Sequence, residues 1–137
     1  MTIHFKDWSR IELSIPSKHI IRETLDFGSK TTQFKNLLKL AIRRKYATPD
    51  SQSIAVGNGG ELSSQTYLTR IIDNLNAIGS FSGDQMIDRK DLLTFIGEGK
   101  YRLRMLPEHI DIDPALLKEF VELPDHNTYL HLLADNQ

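Results

Sequence analysis

Hydrophobic residues recur with two periods along this chain, and each period predicts a different element. At the start they alternate. Ile3 and Phe5, then Ile11, Leu13 and Ile15, stand two apart, which predicts short half-buried strands over Ile3–Phe5 and Arg10–Ile15. Pro16 ends the second strand. Ser17 is placed to cap a helical turn over Lys18–Leu25, against the β-branched Ile20, Ile21 and Thr24. Asp26-Phe27-Gly28 reads as a turn. The period then lengthens. Phe34, Leu37, Leu38, Ala41 and Ile42 form one apolar face of a helix over 31–46, with Thr31 or Thr32 as its cap.

Thr48-Pro49-Asp50 is a helix-start signal and predicts a short helix over 49–56. Gly57-Asn58-Gly59-Gly60 must be loop. Ser63 then caps a helix over 64–78 that buries Leu68, Ile71, Ile72 and Leu75 and is closed by Gly79. Residues 84–90 are polar and carry no clear period. Two apolar stretches around Gly97-Glu98-Gly99-Lys100 predict a hairpin over 92–106. The rival reading is a helix over 88–96, capped by Asp88 and stopped by Gly97. Asp113-Pro114 opens a helix to Leu123 with Leu116, Leu117, Phe120 and Val121 on one face. Pro124 ends it, and 127–133 form a last helix docked by Tyr129, Leu130 and Leu133. The sum is an α+β fold: a helix-rich single domain over 1–137, with short N-terminal strands and C-terminal helices over 114–134.

Composition supports a folded domain. The 137 residues are 39% hydrophobic and 26% charged, with no cysteine. That length can bury a core without staples, and the missing cysteine excludes disulfides and thiolate metal sites. The N-terminal residues have no apolar run, so no signal peptide is expected. Nor does any run reach the ~18–20 apolar residues of a membrane span. The expectation is a cytoplasmic protein without membrane contact.

A net charge of −1 hides an uneven distribution. Lys30, Lys35, Lys39, Arg43, Arg44 and Lys45 crowd into 30–46 with no acidic residue, whereas from Glu108 onward Lys118 stands alone among seven carboxylates. Such asymmetry marks either an anion-binding face or two segments that pair with each other. Lys35, Lys39 and Arg43 recur every four residues as a helical stripe. In the hairpin, Lys100, Arg102 and Arg104 alternate with Tyr101, Leu103 and Met105, so in a strand the cations project to one side.

The order helix (31–46), short helix (49–56), capped helix (64–78), hairpin (92–106) resembles the winged-helix class of helix-turn-helix domains over 31–106. The segment Glu61-Leu62-Ser63-Ser64-Gln65 through Gly79 is similar to its recognition helix. The resemblance implies that Ser64, Gln65, Thr69 and Arg70 reach base edges in a major groove. It also implies that Lys100, Arg102 and Arg104 lie along phosphates as a wing, and that Lys35, Lys39 and Arg43 hold the backbone elsewhere. The partner so implied is duplex DNA. Three features depart from that pattern: the long turn 57–62, the short second helix, and the dozen residues 80–91 ahead of the hairpin.

No catalytic set emerges. The histidines His4, His19, His109, His126 and His131 are scattered. Glu108-His109-Ile110-Asp111-Ile112-Asp113 gathers oxygen and nitrogen ligands without metal-motif spacing and reads as a polar surface turn. Arg104 and His109 match an arginine–histidine spacing of helical ribonucleases, but Pro107 falls between them. The glycine loop lacks the ending of a phosphate-binding P-loop, and no serine sits in a Gly-x-Ser-x-Gly elbow. No cofactor or metal is expected. The sequence thus points to a non-enzymatic DNA-binding or regulatory protein. The alternative is a protein-interaction module of immunity, adaptor or accessory type, and the C-terminal helices offer a surface for a homodimer.

Overall fold

The computed structural model describes residues 1–126 together with Tyr129, Leu132 and Leu133. The alternating N-terminal pattern builds β1 (Thr2–Phe5) and β2 (Arg10–Ile15), whose odd-numbered residues are buried. They pair antiparallel, Ile3 opposite Leu13 and Phe5 opposite Ile11. Pro16–Lys18 form only one 3-10 turn, and β3 (Ile20–Asp26) follows in place of the expected helical turn over 18–25. The β-branched Ile20, Ile21 and Thr24 favour this outcome. β2 and β3 pair antiparallel, with an irregularity between Leu13 and Ile15.

α1 (Thr31–Tyr46) carries the predicted apolar face, with Phe34, Leu37, Leu38, Ala41 and Ile42 buried. Its cap position is Lys30, without a side-chain cap, so neither Thr31 nor Thr32 performs that role. The short helix expected over 49–56 is instead a 3-10 turn, Pro49–Ser51, followed by β4 (Ile54–Ala55). The proline sets the first turn; the Ser53-Ile54-Ala55-Val56 run then extends and buries Ile54 and Val56.

α2 (Gln65–Gly79) begins one residue later than expected, and Ser64 rather than Ser63 is its cap: the Ser64 hydroxyl accepts from the Thr66 amide at 3.1 Å. Leu68, Ile71, Ile72 and Leu75 are its buried face. The left-handed residue that ends α2 is Ser80 (φ 54°), not Gly79. Gly79 serves a different need, since a Cβ there would lie 2.3 Å from the ring of Phe81.

A four-residue helix, α3 (Arg89–Leu92), precedes the hairpin of β5 (Leu93–Gly97) and β6 (Lys100–Leu103). The rival helix over 88–96 therefore stops at Leu92. Glu98 and Gly99 both take positive φ, as a type I′ hairpin turn requires. β4 adds to the far side of β6, giving a sheet ordered β4-β6-β5. The expected surface turn over 108–113 contains β7 (Ile110–Ile112), which pairs parallel with β1 and closes a second sheet ordered β3-β2-β1-β7. α4 (Pro114–Glu122) is capped by Asp113, whose carboxylate accepts from the amides of Ala115 and Leu116.

The result is a mixed α+β domain in which α1 packs on α2 and β6, and α2 on β3, and apolar side chains from Ile3 and Phe5 to Leu103, Phe120 and Tyr129 form one contiguous core. The helix expected over 127–133 lies largely outside the described residues; within it, Tyr129, Leu132 and Leu133 are helical and Tyr129 is buried. Among the described residues no helix is long and apolar enough to cross a membrane.

Candidate nucleic-acid interface

The leading end of α2 is the first component. Its N-terminal amides carry the positive end of a 15-residue helix. Gln65 and Thr69, one turn apart, are exposed, as is Arg70, whose guanidinium lies 5.7 Å from the Tyr67 ring centre. Ser64 spends its hydroxyl on capping, accepting from the Thr66 amide and donating to Thr66 Oγ1.

Arg89, which the sequence reading did not single out, joins this helix to the hairpin. Its Nη1 donates to Gln65 Oε1 at 2.6 Å and its Nη2 to Thr69 Oγ1 at 2.8 Å. The same guanidinium sits 5.8 Å from the Tyr101 ring centre on β6. Tyr101 in turn meets Phe95 of β5 at 5.1 Å between ring centres. Two local devices fix Arg89. The Asp91 carboxylate accepts from the Asp88 amide at the start of α3. Asn76 of α2 also clasps Ile87 through both its amide groups, donating from Nδ2 and accepting at Oδ1. An arginine in the polar run 84–90 gave no periodic signal; its role comes from tertiary geometry alone.

The three hairpin cations diverge. Lys100 is exposed beside the turn. Arg102 is half-buried, its Nε has no hydrogen-bond partner among the described residues, and its charge bears on Arg44 of α1. Arg104 lies beyond the end of β6. Its Nη1 donates to the Lys90 carbonyl, and it lines a cleft of about 330 Å³ with Met1, Ile15, Pro16, Ser17 and Asp91. Leu103 and Met105 are buried, as the alternation requires.

The α1 stripe is half-buried throughout. Lys35 lies 5.9 Å over the Trp8 ring, and Trp8 Nε1 donates to the Glu119 carboxylate. Lys39 lines a cleft of about 240 Å³ with Asn36, Glu61 and Tyr67. Arg43 forms an ion pair with Glu61 at 2.5 Å and lies against Tyr129, whose hydroxyl donates to the other oxygen of Glu61. Burial, then the Glu61 carboxylate, pushes the Tyr129 phenol well above its ordinary range. Arg44, also in this run, is buried, donating from Nε to the Met105 carbonyl and from Nη1 to Gln52. Burial and the neighbouring Arg102 charge lower its pKa. The structure thus brings Gln65, Thr69 and the hairpin together and packs Lys35 against Trp8 and Arg43 against Glu61 and Tyr129, while Lys39 shares its cleft with Ser63 and Tyr67 at the start of α2.

Among the described residues no three histidine or carboxylate side chains converge as a metal-ligand group. His126 is buried, stacked on Phe120 at 4.0 Å, while His131 lies outside the described residues. His109 ends a 3-10 turn, Pro107–His109, so no helix aligns it with Arg104. No protein-family model, curated protein or solved structure matches the chain.

Proposed function

We propose that this chain is a non-enzymatic nucleic-acid-binding protein of winged-helix type whose contact surface is the leading end of α2 joined to the β5–β6 hairpin. The observation that carries this reading is the Arg89 bridge. It makes the polar end of a capped helix and the basic hairpin a single surface, with Arg70, Lys90 and Lys100 exposed on its elements. Cations so placed reach phosphates, while Gln65, whose Oε1 accepts from Arg89, still offers its Nε2 donor to a base edge; the Thr69 hydroxyl is taken up by Arg89 and the Gln65 carbonyl. Asp88 and Glu98 are also exposed nearby, so contact depends on a few well-placed cations rather than on a broad positive field.

Fluorescence anisotropy with labelled DNA, duplex and single-stranded, at two salt concentrations is the test. Binding weakens as salt rises, and Lys90→Glu with Lys100→Glu weakens it by at least ~10-fold and lowers the salt slope by about 2. Lys35→Gln, in the packed region, leaves it unchanged. Absence of binding to any DNA, or binding indifferent to the double substitution, overturns the proposal.

One observation favours the alternative of a protein-interaction module: Phe95 and Ile96 are 59% and 46% exposed on an edge strand. A partner protein that binds through Phe95 and Ile96, in a chain with no affinity for DNA, would make that reading the better one.

A further inference from the structure

We infer that, within the nucleic-acid reading on which this rests, the preferred ligand is an unpaired strand, whose bases stack on Phe95. A buried position explains most large apolar side chains of this domain, but not Phe95, which is 59% exposed on β5. Its ring is held rather than loose. Tyr101 packs against it at 5.1 Å, and the Arg89 guanidinium lies 5.8 Å from the Tyr101 ring centre. Arg89 is itself fixed by Gln65 and Thr69. Tyr101 is thus in contact with both the cation and the exposed ring, and all three line an open depression of about 590 Å³.

The lining of that depression matches one chemistry. It contains Phe95 and Tyr101, the cations Arg89 and Lys90, and the lone carboxylate Asp88. Lys100, outside this lining, is exposed at the hairpin turn. An aromatic face beside cations is how proteins hold unpaired bases: the ring stacks with a base while the cations follow the phosphates. A duplex hides its base faces and would leave Phe95 unused. A purely apolar partner would leave Arg89 and Lys90 desolvated without an anion.

Anisotropy with a labelled oligothymidylate, and with the same strand annealed to its complement, tests this on the full chain. The single strand binds about tenfold tighter than the duplex. Phe95→Ala removes about tenfold of the single-strand affinity and none of the duplex affinity, Phe95→Trp retains it, and Phe95→Leu, which keeps bulk but no aromatic face, does not. Phe95 is exposed enough that all three variants keep the parent's thermal transition, which is measured alongside. Duplex binding that equals or exceeds single-strand binding, or Phe95→Leu matching the parent, overturns the inference while leaving the nucleic-acid reading standing. Failure to bind either form overturns both.

Discussion

Two basic regions of this molecule look alike in sequence and differ in structure. The 30–46 run has the higher density of cations, at helical spacing, yet beyond the exposed Lys30 its members are half-buried or buried: Lys35 over Trp8, Arg43 against Glu61 and Tyr129, Arg44 buried against Met105 and Gln52. The hairpin and its preceding helix have fewer cations, but Lys90 lines the depression beside the solvent-facing Phe95, and Lys100 is exposed at the hairpin turn. Charge density along a chain therefore does not measure charge available to a ligand. The apolar stems of lysine and arginine let them serve as core-lining residues once carboxylates and rings cover their heads. Of the two meanings that the uneven charge distribution allowed, direct pairing of the two segments finds no ion pair among the described residues: Lys35 and Glu119 meet only through Trp8, and the carboxylate on Arg43 is Glu61, outside the acidic C-terminal segment.

This contrast can be broken by measuring stability on each side of it. The largest effect is expected at Arg44. Arg44→Ala removes a buried donor set and leaves the Met105 carbonyl and the Gln52 side chain unanswered. It should cost about 2–3 kcal/mol in urea unfolding; a loss below about 0.5 kcal/mol would mean that this cation is not structural. Next is Tyr129→Phe, which deletes a hydrogen bond to a carboxylate and should cost about 1–2 kcal/mol at neutral pH.

The same residue gives a pH signature. The folded-state phenol titrates above its unfolded value near 10. Its contribution is thus complete below that pH and is lost as pH rises beyond it, when the unfolded chain sheds the proton first. Alkaline unfolding curves of the parent and of Tyr129→Phe should converge above pH ~10; parallel curves would refute the buried contact. The smallest effect is expected at the hairpin. Lys90→Ala with Lys100→Ala should change stability by no more than about 0.5 kcal/mol. A larger loss would erase the distinction between the two regions.

Much of the fold was legible because one period dominated each segment. The alternation of Ile11, Leu13 and Ile15, the helical face from Phe34 to Ile42, the Asp113-Pro114 start and the glycine-flanked hairpin turn all correspond to observed elements. The misreadings have local causes. Thr48-Pro49-Asp50 is a genuine start signal, but a 3-10 turn answers it as well as a helix does, and the following apolar residues are claimed by β6. Ile110-Asp111-Ile112 is too short to register as a period; only its neighbour β1 makes it a strand. At the candidate site, the helix end and the hairpin were legible as elements. Arg89 was not, because its meaning depends on side chains 24 and 20 residues back along the chain meeting it in space. Nor could sequence tell that Arg102 is half-buried with its charge bearing on Arg44 while Lys100 is exposed.

The parallel pairing of β1 with β7 has a consequence for how the domain comes to exist. Residues 2–5 occupy an interior position in their sheet only once residues 110–112 have been delivered. Until then, a chain emerging from the ribosome carries β1 with one edge bare. Contacts that distant in sequence slow folding and prolong the exposure of sticky intermediates. Closure of this sheet by β7 should consequently be late, with the β1–β2–β3 meander and the hairpin region able to form before it.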